Sequence, residues 1–133
     1  MSYLCTPYLY LSQMNRKDYE IMAPVGSYES LMAAINAGAD SIYFGIEGLN
    51  MRSKSANNFT TEDLYKIAAI CREHDVKSYL TVNTIIYDED LELMRKIIDS
   101  AKAADVSAII AADVAPMLYA RSIGVEVHLS TQL

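Results

Sequence analysis

The polar residues of this sequence with the clearest chemical potential follow short apolar segments. Arginine can bind a carboxylate or phosphate through two parallel hydrogen bonds, asparagine offers both a donor and an acceptor, and histidine can act as a base or a ligand. Residues of these types predict a polar substrate-binding surface, with no catalytic residue assigned. The candidate substrate-binding residues are Arg52, Asn58, Asn83, His128, Ser130 and Gln132.

Each candidate also has a purely structural interpretation. Arg52 lies in a long polar segment, residues 46–59, and such loops are often functional, but it is equally interpreted as a solvated loop residue. Asn83 follows an apolar run and can form an Asx-turn instead of binding a ligand. His128 shares one strand face with Ser130 and Gln132, and no acidic partner is assigned to it, so a hydrogen-bonded core histidine is the alternative.

Composition excludes several classes of protein. The 133 residues are 52% apolar and carry 11 basic and 17 acidic side chains, with the basic ones scattered along the chain, which is not typical of a nucleic-acid-binding surface. Cys5 and Cys71 are too few and too far apart for a disulfide framework or a zinc site. With no membrane-spanning run and a poor signal peptide, we expect a cytoplasmic protein without a metal site in this chain.

Short apolar runs alternate with amphipathic segments, a pattern typical of βαβ units and a parallel sheet. Ser27 is predicted to cap the first helix, Thr60 with Asp63 the second, and Asp113 the fourth, where a cap is favoured over an acid–base role. The pattern predicts an α/β fold with about five parallel strands and four helices, but leaves a barrel and an open doubly wound sheet as alternatives. The predicted strands cover residues 20–23, 41–45, 76–84, 106–112 and 125–131.

In both architectures ligands bind beyond the carboxyl ends of the strands, which is why the residues ending each run are candidates. Lys77 opens its strand rather than ending it, which argues against a lysine-dependent aldolase. Cys71 lies on an apolar helix stripe and is predicted to be a small buried side chain.

Six ordered motifs together resemble the N-terminal half of peptidase family U32, from about Met14 to the last residue. Each motif alone is weak, whereas the six in this order and spacing are specific. The motifs are EIMAPVG at residues 20–26, ADSIYFG at 39–45, the segment 49–59 with Arg52 and Asn58-Phe59, YLTVN at 79–83, AIIAAD at 108–113 and HLSTQ at 128–132.

The resemblance implies the first half of a TIM-barrel-like domain at residues 14–133, preceded by a poorly ordered extension at residues 1–13. Members of the family are described as collagenase-like proteases, and others as iron–sulfur enzymes that hydroxylate RNA bases or a quinone precursor. The family's cysteine signature lies downstream of the HLSTQ motif. We therefore expect no cluster in this chain, and contact with RNA only through regions of the relatives outside it.

Three interpretations of function follow. The chain is a fragment of a U32-type enzyme, a half-barrel that forms a homodimer through open sheet edges, or an inactive truncated product. A bound iron centre in a longer form of the protein would support the enzyme fragment. A defined dimer in solution would support the half-barrel.

Overall fold

The computed structural model describes residues 15–49 and 58–131. Those residues form one parallel sheet in the strand order β1-β2-β3-β4-β5, which confirms the predicted number of strands and helices. The strands are β1 (Met22–Pro24), β2 (Ser41–Phe44), β3 (Lys77–Val82), β4 (Ala108–Ala111) and β5 (Val127–Leu129). The helices are α1 (Tyr28–Asn36), α2 (Thr61–Glu73), α3 (Leu91–Ala103) and α4 (Val114–Ser122).

The sequential strand order decides between the two architectures that the sequence left open. A doubly wound sheet reverses its strand order and carries helices on both faces, whereas here each strand pairs with the next one in the chain. The buried residues of the helices and one face of the sheet form a single apolar cluster. The described part of the chain is therefore a portion of a TIM-barrel-like fold, with its helices on one side of the sheet.

The helix-facing side chains of the sheet explain this packing. They alternate along each strand with side chains on the other face, as the two-residue period of a strand requires. Helix α2 meets them with an apolar stripe at helical spacing, in which Cys71 is buried as predicted. The stripe consists of Leu64, Ile67, Ala68 and Cys71. The buried residues on the helix-facing side of the sheet are Ile42, Phe44, Leu80, Val82, Ile109 and Ala111.

The helices begin where the sequence predicts. Ser27 Oγ accepts a hydrogen bond from the backbone N–H of Ser30 at 3.1 Å. Thr60 and Asp63 form the predicted capping box, in which Thr60 Oγ1 accepts from the N–H of Asp63 and the Asp63 carboxylate accepts from the N–H of Thr60 at 2.9 Å. These local hydrogen bonds place the first turn of α1 and α2 beside the carboxyl ends of β1 and β2.

Each helix is followed by a residue with positive φ, which turns the chain back toward the next strand. The residues are Gly38 and Gly124 after α1 and α4, and Asp75 and Asp105 after α2 and α3. Glycine adopts this conformation without strain and aspartate tolerates it better than most residues. The four units thus end in the same way.

The observed strands are shorter than the apolar runs. Val125 and Val106 extend their runs but lie in the turns that precede β5 and β4, where they are buried. At these two positions, apolar character therefore indicates a buried side chain and does not indicate hydrogen bonding between strands. Within residues 15–49 and 58–131, we find no helix of the length and hydropathy that crossing a bilayer requires.

Candidate functional site

The face of the sheet opposite the helices, here called the inner face, carries most of the polar and aromatic side chains of the strands. The register aligns Pro24, Tyr43 and Tyr79 across β1, β2 and β3. It also aligns Thr81 and Ile110 with His128 across β3, β4 and β5. In a barrel this face points to the interior, where side chains from alternate strands form layers.

Glu20 forms the first part of a polar cluster on the inner face. The hydroxyl of Tyr79 donates to Glu20 Oε1 at 2.6 Å, and Lys77 Nζ donates to Glu20 Oε2 at 2.9 Å. These two hydrogen bonds stabilise the carboxylate and lower the pKa of Glu20 to about 2. Burial and the neighbouring Glu20 carboxylate raise the pKa of Tyr79, so its hydroxyl remains a donor.

His128 forms the second part of the cluster. Its Nε2 lies 2.8 Å from Glu126 Oε1, and its ring lies against the Tyr79 ring with 4.9 Å between centroids and an interplanar angle of 50°. The His128 side chain is 36% exposed, whereas Tyr79 is almost fully buried. The imidazole therefore keeps an accessible part while two neighbours restrict its orientation.

The cluster joins three alternate strands. Glu20 precedes β1, Tyr79 lies in β3, and His128 lies in β5 next to Glu126. Contributions from alternate strands are the arrangement expected of one layer in a barrel interior. The hydrogen bond of Tyr79 to Glu20 spans 59 residues of sequence, so folding alone brings these side chains together.

The predicted site residues fall into separate places. Asn83 directly follows β3 and Asn58 directly precedes Phe59, whose backbone pairs with Ile46 next to β2, so both asparagines lie in loops at the carboxyl edge of the sheet. Both are half-buried. His128 lies within β5, in the cluster on the inner face. The roles of these residues in substrate binding stay predictions.

Ser130 extends the β4–β5 pairing. Its backbone N–H donates to the carbonyl of Ala111 at 2.8 Å, and the residue is buried. Arg52 and Gln132 lie outside the described residues.

Asp113 acts structurally, as the sequence favoured. Its Oδ1 accepts from the N–H of Val114 at 2.6 Å at the start of α4. Its Oδ2 accepts from the N–H of Ile86 at 2.9 Å, which fixes the loop after β3 to the loop after β4. Both oxygens of the carboxylate therefore accept hydrogen bonds from backbone N–H groups at the carboxyl edge of the sheet.

Sequence reasoning missed Glu20, Tyr79 and Glu126. A signal for Glu126 was present, because residues two apart in a strand share a face and Glu126 precedes His128 by two. Glu20 and Tyr79 had no comparable signal, since their contact depends on the pairing of β1, β2 and β3.

The described residues do not fit an iron–sulfur cluster. Their one cysteine, Cys71, lies fully buried in the apolar core between α2 and the sheet. Burial raises the pKa of this thiol to about 11, whereas cluster ligands are thiolates. Over the same two stretches of chain, no three His, Cys, Asp or Glu side chains come together as a metal site would need.

The arrangement is suited to binding and proton exchange. His128 and the carboxylate of Glu126 offer hydrogen-bonding groups next to an aromatic ring, and imidazole can accept or donate a proton near neutral pH. Lys77 is held by Glu20 at the start of β3, away from the carboxyl edge, so the structure agrees with the argument against a Schiff-base lysine.

Comparison with known proteins finds relatives that match most of this chain. The chain is 78% identical over 120 residues to a protein named Collagenase from Porphyromonas gingivalis, covering 90% of this chain and 29% of the relative. It is 33% identical over 118 residues to the tRNA hydroxylation protein P1 of Bacillus subtilis, covering 87% of this chain and 28% of the relative. The chain thus spans less than a third of the length of these relatives.

A solved structure supports the fold. The U32 peptidase Mk0906 superposes with a TM-score of 0.56 at 12% identity, over 71% of this chain and 40% of that chain. The model of peptidase family U32 matches residues 26–133, which include β2 to β5 and all four helices. This chain therefore belongs to peptidase family U32.

Proposed function

We propose that this chain forms part of the barrel of a U32 enzyme that hydroxylates a base of RNA, and that its inner face contributes to binding that base. The observation that carries the proposal is the His128 ring, held partly exposed between Tyr79 and Glu126. The relative named as a tRNA hydroxylation protein supports the choice of RNA. The sequence led us to expect contact with RNA only through regions outside this chain, and the position of His128 is our reason for extending that expectation to the inner face.

The chemistry of base recognition fits this cluster. Proteins that read single RNA bases stack them on aromatic side chains, histidine included, and hydrogen-bond their polar edges. On the inner face, the exposed part of His128 offers a ring surface and a polar nitrogen. Tyr79 and Glu20 act behind it, because the hydrogen bond between them holds the ring against which His128 packs.

We propose further that any iron–sulfur cluster of the enzyme is held by residues other than those described. Cys71 does not fit as a ligand because it is buried in the core. In this proposal, the role of residues 15–49 and 58–131 is to bind and orient the base and to exchange protons with it.

Proteolysis is the second candidate, because the relative with 78% identity is named Collagenase. A serine, threonine or cysteine peptidase places its nucleophile within hydrogen-bond reach of a base. Over the described ranges, His128 contacts a carboxylate and an aromatic ring, and Cys71 lies in the core on the other side of the sheet. This geometry supports binding better than nucleophilic attack.

The test is a gene deletion in the native host, with mass spectrometry of nucleosides from total tRNA and rRNA. We expect one hydroxylated nucleoside to disappear. The gene should restore it when reintroduced as wild type or as His74→Ala, and should fail to do so as His128→Ala. His74 is the matched control because it lies at the end of α2, where its Nδ1 contacts the carbonyl of Ile70.

A different outcome supports the second candidate. If the nucleosides are unchanged and the purified full-length protein cleaves gelatin in a manner that depends on His128, the RNA proposal is wrong. Melting temperatures of both histidine variants, measured in parallel, separate a loss of activity from a loss of folding.

Self-association of half-barrels stays a prediction. In the described sheet β1 and β5 pair on one side only, and exposed apolar side chains lie at both edges, with Met22 41% and Leu129 67% exposed. Light scattering of the purified 133-residue chain tests it. A dimer at micromolar concentration agrees with the prediction, and a folded monomer contradicts it.

A further inference from the structure

We infer that Glu126 is a positioning residue that fixes the tautomer of His128, so that the ring presents Nδ1 as an acceptor to a hydrogen-bond donor on the substrate. The inference deepens the proposed function, on which its biological meaning rests. The donor would be an amino or imino N–H on the edge of a base. The tautomer itself can be measured in the chain without substrate.

The hydrogen bond between Glu126 and His128 determines which nitrogen carries the proton. A carboxylate can only accept, and a neutral imidazole has one donor nitrogen and one acceptor nitrogen. Because Glu126 Oε1 lies 2.8 Å from Nε2 of His128, Nε2 must be the donor and Nδ1 the acceptor. Across the described residues, the hydrogen bonds and ion pairs of this ring involve Nε2 alone.

The neighbours of His128 oppose a ring flip, which would exchange Nε2 with Cε1 and Nδ1 with Cδ2. The Tyr79 ring packs on the imidazole, and Tyr79 is itself held through its hydroxyl by Glu20, which Lys77 holds in turn. A flip would place a carbon of the imidazole against the Glu126 carboxylate and break the hydrogen bond. The geometry thus fixes the orientation of the ring and, in its neutral form, which nitrogen carries the proton.

The second histidine of the chain provides an internal comparison. His74 Nδ1 lies 2.9 Å from the backbone carbonyl of Ile70, and a carbonyl also can only accept. His74 must therefore carry its proton on Nδ1, the opposite tautomer to that of His128. One sample then contains both forms, each assigned to a different hydrogen-bond partner.

The experiment is a long-range proton–nitrogen NMR spectrum of the full ¹⁵N-labelled chain, recorded as pH is raised until both imidazole rings give the spectrum of the neutral form. We expect the Nε2–H form for His128 and the Nδ1–H form for His74. In Glu126→Ala, the His128 signals should shift to those of a mixture of tautomers while those of His74 stay unchanged. Glu126→Gln should retain the wild-type form, because its amide oxygen can still accept from Nε2.

Glu92→Ala is the control for charge, since Glu92 pairs with Lys96 on the exposed side of α3 and should leave both histidines unchanged. An Nδ1–H form of His128 in the wild type overturns the inference, as does an unchanged tautomer in Glu126→Ala. If Glu126→Ala does not fold, the wild-type spectrum still decides.

The RNA assay is a separate measurement. Unchanged nucleosides in the deletion strain combined with an Nε2–H His128 would remove the proposed function and leave the positioning role of Glu126 in place.

Discussion

The two faces of the sheet are built from adjacent residues of the same strands, yet their environments differ sharply. Ile109 faces the helices and is fully buried, whereas its neighbour Ile110 faces the inner side and is half-buried. Leu80 and Thr81 repeat this relation in β3. The helix-facing side is an apolar core, and the inner face carries the ion pair, the paired rings and the accessible imidazole.

The difference indicates how the fold divides its tasks. Burial of apolar surface on the helix-facing side supplies most of the stability, since it removes whole side chains from water. The inner face can then hold charged groups whose net contribution to stability is small, because they are partly exposed to solvent. We therefore expect the functional residues on the inner face, which is not part of the apolar core.

The largest expected effect compares the same substitution on both faces. Ile109→Ala should lower the free energy of unfolding by about 2–5 kcal/mol, because it leaves a cavity in the core. Ile110→Ala should cost under about 2 kcal/mol, because this side chain is only half-buried. Urea denaturation followed by circular dichroism measures both, and equal losses would contradict the division between the faces.

A smaller effect is expected within the polar cluster. Tyr79→Phe removes the hydroxyl that donates to Glu20 and should lower the free energy of unfolding by about 1 kcal/mol, because the carboxylate remains partly hydrated. Tyr119→Phe is the matched control, since the Tyr119 hydroxyl donates to Asp99 on the exposed surface at 2.8 Å. A loss that is no larger for Tyr79→Phe than for the control would show that the cluster adds nothing.

The smallest expected effect is on the pH dependence of the free energy of unfolding. The folded pKa of Glu20, about 2, lies below its ordinary value of 4.5, so its stabilisation is fully present above pH 4.5 and is lost as pH falls toward 2. Since the side chain is 36% exposed, solvent screening keeps the effect modest. Glu20→Gln should therefore lose less stability than the wild type as pH falls from 4.5 toward 2, the window set by the two pKa values.

The control for this experiment is Glu89→Gln, which removes an exposed carboxylate from the turn before α3. Its urea midpoints should follow those of the wild type across the same range. If Glu20→Gln also follows the wild type, the hydrogen bonds to Tyr79 and Lys77 do not stabilise the folded state.

Much of the local structure was predictable because it depends on nearby residues. The caps at Ser27 and Thr60, the buried stripe of α2 and the ion pair of Glu92 with Lys96 at 2.7 Å all follow from short-range spacing. The ends of the strands were less predictable. Apolar residues such as Val125 are buried in turns just outside the ladder, where hydrophobicity and hydrogen bonding no longer coincide.

The candidate site was predictable only in part. The alternation of residues in β5 identifies His128 as a polar side chain on one face, and the same period brings Glu126 beside it. The contacts of Tyr79 with His128 and with Glu20 were beyond sequence reasoning, because each joins strands that are not consecutive in the chain.

The sequence by itself therefore determined the elements, their caps and the U32 membership, because periodicity, capping and motif order are written locally along the chain. Tertiary structure alone decided the sequential strand order and the single helix-covered side. It also decided which polar residues meet, since Glu20, Tyr79 and His128 come together only when the register of five parallel strands sets their positions on the inner face.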